Sequence, residues 1–250
     1  MNIQQLALNP TLLFKESFSF EEISLQGEWE EQLKTFIDDC CRIEFNSGSE
    51  LLTLIEMKSR CSFDANFNHL IESFAGTEKK CSELLGAVLM SLIWLKSKKT
   101  LPKVIFCSKF YFFVTPDGEM TQINSKYKNT LTSSQKFDLF NSEKSSQLQL
   151  PDLIKHYFEE ICSSFITNQK FKSLRRAQSY MIDFDPKDMK WYARRGLLLK
   201  RLGLYSEALL DLKRFISFHS FEDAPEPVKQ ALIELEGLKA TDNFREYSVH

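Results

Sequence analysis

The sequence predicts an α+β fold that is mostly helical and carries one small antiparallel sheet, and three observations predict it. Apolar residues recur at helical intervals through most of the chain. A single stretch, Val104 to Val114, is instead dense in β-branched and aromatic residues and runs into a turn, Thr115-Pro116-Asp117-Gly118, and a second apolar run, Met120 to Ile123. The chain has 250 residues, 43% of them hydrophobic and 22 of them Phe, which is enough to fill one large core or two modest ones.

Taken in order, Phe20 to Phe45 sets Ile23, Leu25, Trp29, Leu33, Phe36 and Ile37 at helical spacing among carboxylates, giving one or two amphipathic helices. Glu50 to Lys58 repeats the pattern with Leu51, Leu54 and Ile55, and Phe67 to Phe74 gives another short helix before Gly76. From Ser82 the chain is apolar almost all round through Val88, Leu89, Ile93 and Trp94, and it ends in the Lys96 to Lys99 cluster that suits a helix C-terminus. This is the central helix of a first domain. The β-hairpin follows. Ser125 to Gln149 is then polar, anchored by Phe137, Leu139 and Phe140, and a domain boundary is placed near Ser145. The expected domains are residues 1–145 and 150–240.

The second domain repeats itself. At an offset of 34 residues Tyr157 aligns with Trp191, Phe158 with Tyr192 and Phe171 with Tyr205. Within the second unit Gly196, Gly203, Tyr205 and Ala208 fall where a tetratricopeptide repeat places small residues between its two helices and an aromatic at the bend. Two antiparallel helices approach closely only where small side chains such as Gly196 and Ala208 sit at the contact. Pro186 suits a stop and restart. Pro227 to Leu238 carries Val228, Ala231, Leu232, Leu235 and Leu238 on one stripe and closes the stack.

The run Phe171 to Leu238, and especially AQSYMIDFDPKDMKWYARRGLLLKRLGLYSEALLDLKRFI, resembles the C-terminal half of the bacterial SirB-type transglutaminase-like/tetratricopeptide family in its order of a DP, an RGLL, an LG-Y-EAL-DL and a closing helix. The resemblance implies that the first domain is transglutaminase-like, a papain-related arrangement in which a helix packs on a small antiparallel sheet. It implies a nucleophile at Cys81, where the apolar helix is expected to open, and a histidine and an aspartate on the following strands. Those positions read Tyr111 and Asn124, so the resemblance implies a triad that is broken.

The chemistry of the residues points the same way. A cysteine at a helix N-terminus beside Lys79 and Lys80 is the one credible nucleophile, but nucleophilic catalysis needs a base within hydrogen-bond reach. No histidine lies between His69 and His156 in the strands that should supply one. The leading expectation is a non-catalytic protein–protein recognition or scaffolding protein. The alternative is a cysteine-dependent transferase or hydrolase using Cys81 with His69. Trp191, Arg194 and Arg195 on the repeat's first helix are the expected partner contact, the arginines facing a peptide carboxylate.

Other classes are disfavoured. The net charge is -2, and the Lys- and Arg-rich stretch from Lys170 to Arg214 lacks the aromatic interleaving that base stacking uses, so a nucleic-acid partner is not expected. The six cysteines have no CxxC spacing and the four histidines no zinc pattern, so neither a metal nor a cofactor is expected and the thiols are read as free. There is no glycine-rich phosphate loop. The start of the chain lacks a signal-peptide pattern, and Leu84 to Leu95 is too short to cross a bilayer. No membrane association is therefore expected, and the localisation read from the sequence is cytoplasmic.

Overall fold

In a computed structural model of the chain, the structure describes residues 26–64, 80–107, 110–124 and 145–240. The chain divides into two compact units, Met1–Ser164 and Phe165–His250. Mostly helical with a small antiparallel sheet, it is an α+β protein.

The first unit holds helices α1 (Gln26–Arg42) and α2 (Gly48–Ser59), strands β1 (Ser62–Asp64) and β2 (Lys80–Ser82), and helix α3 (Glu83–Lys98). Strands β3 (Lys103–Cys107), β4 (Phe110–Val114), β5 (Met120–Gln122) and β6 (Ser145–Leu148) follow, and then helix α4 (Leu150–Thr167), most of which belongs to this unit. Helix α3 is its centre. Every residue from Glu83 to Leu95 is buried, which is why this stretch shows no polar face in the sequence. The Ser82 hydroxyl caps its start by accepting from the Leu85 N–H at 3.1 Å. Lys99, at φ 59°, closes its end by donating its N–H to the Leu95 carbonyl.

Helix α3 packs on α1, α2 and β4. Trp94 lies between the rings of Phe45 at 5.6 Å and Phe113 at 5.5 Å, and Lys96 pairs with Asp38 at 2.6 Å. Gly86 lets the helix seat closely: a Cβ there would stand 2.9 Å from both Phe63 and Ile123. The seating brings the start of α3 beside the end of β5.

The main sheet runs β5-β4-β3-β6, antiparallel throughout, while β1 and β2 form a separate parallel pair. Two features depart from the sequence expectation. Val104 to Val114 is two strands, with Cys107 opposite Phe110, and not one. Only Ser108 and Lys109 interrupt the apolar run, and no Gly or Pro marks the reversal. In addition, β6 arises from the polar stretch and pairs with β3, so the chain beyond Ser145 still belongs to the first unit, and the boundary falls at Ser164 and not near Ser145. An edge strand with its middle residues exposed carries little apolar alternation, so it left no periodic signal.

The second unit holds α5 (Phe171–Phe184), α6 (Met189–Arg201), α7 (Tyr205–Ile216) and α8 (Glu226–Ala240). The 34-residue spacing is structural, since Phe171 opens α5 and Tyr205 opens α7. Helices α6 and α7 approach at Gly196, where a Cβ would meet the Leu212 side chain at 2.7 Å and the Ala208 carbonyl at 3.3 Å. Gly203, at φ 76°, makes the turn between them in a conformation that L side chains rarely adopt. Val228, Ala231, Leu232 and Leu235 of α8 join Ala208 and Leu212 in one core. Among the described residues no helix is long and apolar enough to cross a membrane.

Candidate functional site

The start of α3 is where a nucleophile is expected, and the structure puts a carboxylate there. Cys81 lies in β2, in register with Phe63, and is 0% exposed. The helix opens two residues later than the sequence suggests, at Glu83, because Ser82 is the residue whose side chain caps it. Cys81 therefore has neither the helix-terminal position nor the exposure that a reactive thiolate uses.

Glu83 is 1% exposed. Its Oε1 accepts from the Asn124 amide at 2.5 Å and its Oε2 from the Tyr111 backbone N–H at 3.2 Å. Both donors are brought to it by the sheet. The Ile123 N–H bonds the Tyr111 carbonyl at 2.9 Å, which places Asn124 beside Tyr111 just past the end of β5. A buried carboxylate is costly unless hydrogen-bonded, and this one has two donors and stands in the first turn of a helix, whose dipole favours negative charge. Cys81, Tyr111 and Asn124 thus gather at the entry to α3, but the group that joins the helix to Tyr111 and Asn124 is Glu83.

Tyr111 points its phenol to His156 of α4, with Oη 2.7 Å from Nε2. Phe106, opposite Tyr111 in the β3–β4 register, packs its ring 4.8 Å from Tyr111 and 5.6 Å from His156. Burial, followed by the carboxylates of Glu160 and Glu83, pushes the Tyr111 phenol well above its ordinary range. The phenol therefore keeps its proton where it meets Nε2. The other ring nitrogen, Nδ1, lies 4.0 Å from Glu159 Oε2. Such an arrangement orients groups; it does not activate a nucleophile, since a phenol held protonated is a poor one. Cys40, fully buried on α1, is similarly held as a thiol, its pKa pushed up to about 12 by burial first and by Cys41 second. All six cysteines are free.

The second unit treats its expected contact residues differently from the sequence reading. Trp191 is 0% exposed and belongs to the interior, with its Nε1 lacking a hydrogen-bond partner. Arg195 does not face outward: its Nε and Nη2 bond both oxygens of Asp211 at 2.7 and 2.8 Å, and its Nη1 bonds the Ser179 hydroxyl at 2.9 Å. The hydrogen bond to Asp211, above all, holds the guanidinium's pKa up against the opposing effect of burial. As a peptide-carboxylate contact Arg195 is already occupied by a carboxylate of its own chain. Arg194 is exposed and lies with Cζ 5.0 Å from the Trp191 ring.

His69, the base of the alternative reading, and the helix expected over Phe67 to Phe74 lie outside the described residues. Sequence reasoning missed Glu83, His156 and Asp211. Glu83 had a usable signal, a carboxylate directly after a serine at the head of an apolar run, which is a first-turn pattern. His156 had none, because its partner is 45 residues away. Among the described residues no group of three or more His, Cys, Asp or Glu could hold a metal ion. No family model, curated protein or solved structure matches the chain.

Proposed function

We propose that the chain is a non-catalytic recognition protein, in which tetratricopeptide-type hairpins of the second unit present a binding face and the first unit is a degenerate transglutaminase-like domain of the SirB type. The observation that carries the reading is the state of the entry to α3. Cys81 is fully buried in a strand, and Glu83 spends its carboxylate on Asn124 and the Tyr111 N–H. A thiol enzyme needs an accessible thiolate with a base in reach, and this arrangement supplies a closed structural knot in its place. The Gly196 crossing and the 34-residue recurrence of helix starts support the repeat assignment.

Thiol reactivity tests it. In the native full chain, iodoacetamide labelling followed by peptide mass mapping is expected to leave Cys81 unmodified until the protein is unfolded. Cys81→Ala and Cys81→Ser are expected to keep the same partners in cross-linking from cells as the parent chain. Rapid labelling of native Cys81, or loss of partners in both variants while their thermal unfolding is unchanged, would overturn the reading in favour of a thiol enzyme.

A further inference from the structure

We propose that the outer stripe of α7 is the contact through which two copies of this chain form a two-fold dimer. Of the charged residues on α7, Asp211 is buried against Arg195, and Lys213 turns to Glu236 of α8 at 2.9 Å. Glu207 and Arg214 remain on the exposed side at i and i+7, with Leu210 between them at i+3. Leu210 is 71% exposed, more than any other large apolar side chain among the described residues. Phe218, 61% exposed just past the end of α7, extends the apolar part of the stripe beyond Arg214.

The stripe reads acid, leucine, base, and that order is its own complement. A two-fold axis beside Leu210 runs two α7 helices antiparallel, sets the two leucines against each other and brings Glu207 of each copy to Arg214 of the other. Glu207 stands three residues before Leu210 and Arg214 four after it, a mismatch of about 1.5 Å along the helix that two long side chains absorb. Arg214 is prepared for the contact. Its Cζ lies 5.9 Å from the Tyr192 ring and 5.6 Å from that of Phe218, which leaves less rotamer freedom to lose, and among the described residues it meets no carboxylate of its own chain. Glu207 is the shared member: its Oε2 accepts from Arg175 at 2.7 Å, yet its side chain is still 49% exposed, so the carboxylate can bridge two guanidinium groups.

A second copy fits better than an acidic or a basic partner, because the stripe carries both halves of the ion pairs it needs. The contact is small. Helix α7 has 12 residues, about 18 Å of axis, so a concentration-dependent dimer is expected and not an obligate one. Nothing in this contact involves Cys81 or a different protein, so its test is separate from that of the recognition reading.

Sedimentation equilibrium of the full chain across the micromolar range is expected to show the mass rise from one chain to two. Leu210→Lys sets two ammonium groups at the axis, and Arg214→Glu sets two carboxylates together at each end; each change is expected to weaken dimerisation by about tenfold or more. Both residues are exposed, so both variants should unfold at the parent temperature. A mixing experiment then separates pairing from any other effect of the substitutions. Arg214→Glu alone and Glu207→Lys alone each meet like charge across the axis, whereas a pair made of one of each meets opposite charge at both ends. Their equimolar mixture is therefore expected to dimerise close to the parent while each alone stays monomeric. Glu207→Lys also loses the contact with Arg175; if it unfolds below the parent temperature, Leu210→Lys and Arg214→Glu decide the matter. A single-chain mass at every concentration, a dimer indifferent to Leu210→Lys and Arg214→Glu, or a mixture of two well-folded variants that stays monomeric would each overturn the proposal.

Discussion

Among the described residues each unit buries one carboxylate, Glu83 in the first and Asp211 in the second, and each satisfies it differently. In the first unit Glu83 is held by neutral donors, an amide side chain and a backbone N–H, at the start of a helix. In the second unit Asp211 is held by a cation, Arg195, through a two-pronged contact between α6 and α7. The first arrangement meets its carboxylate with an amide and a backbone N–H, whereas the second meets it with a cation in a pair that can be replaced only as a pair. The difference fixes what each unit can become. An acid at Asn124, where the resemblance implies the acid of a catalytic triad, would stand directly against the Glu83 carboxylate.

The strongest way to break the comparison is therefore Asn124→Asp. It removes the donor and sets two carboxylates against each other where Glu83 and Asn124 now meet at 2.5 Å. A loss of about 4 kcal/mol in unfolding free energy is expected at neutral pH, comparable to leaving a buried charge uncompensated. One of the two must take up a proton for the fold to close, so the folded state binds more protons than the unfolded one and the loss should shrink as pH falls toward about 5. Urea unfolding of the variant and parent at both pH values checks it. A variant within about 1 kcal/mol of the parent at neutral pH would show that Glu83 is not the charged centre of this unit.

Asp211→Ala probes the other solution. It strands the Arg195 guanidinium, whose side chain is only 23% exposed, and should cost about 3 kcal/mol, less than Asn124→Asp because the arginine can partly reach water. The two-site change Arg195→Met/Asp211→Leu should cost less than Asp211→Ala alone, since no charge is left behind. If the double change costs the sum of the two single changes, the pair does not act as a unit.

How much of this was legible in the sequence follows from the range of each interaction. The all-round apolar run of α3, the stripe of α8 and the small residues at the α6–α7 crossing are local patterns, and periodicity exposed them. Tyr111 and Asn124 were singled out by what the family resemblance implies for the strands after α3. Their partner Glu83 was passed over because the helix was started two residues early, which moved the serine cap out of its place. Arg195 and Trp191 were read as surface because helical spacing alone does not say which of two flanks meets a neighbour; Asp211 on α7 decided the first, and interior packing the second. The hairpin between Cys107 and Phe110 was hidden because no Gly or Pro stands there, and β6 was disguised by its exposed middle.

The smallest expected effect isolates the link between β4 and α4. Tyr111→Phe keeps the ring against Phe106 and removes only the hydroxyl that meets His156 Nε2 at 2.7 Å. A loss of about 1 kcal/mol is expected at neutral pH, the usual worth of a neutral hydrogen bond. The pH dependence is the sharper reading. The phenol's pKa is raised in the folded chain, chiefly by burial, so its contribution is complete below the unfolded value of 10.0 and is lost as pH rises from there toward the folded value. The parent should therefore lose stability above that pH more steeply than Tyr111→Phe, and the two urea-unfolding curves should converge as the medium becomes more alkaline. Parallel curves would mean that the phenol titrates alike in both states, and that the contact with His156 does not hold it out of water.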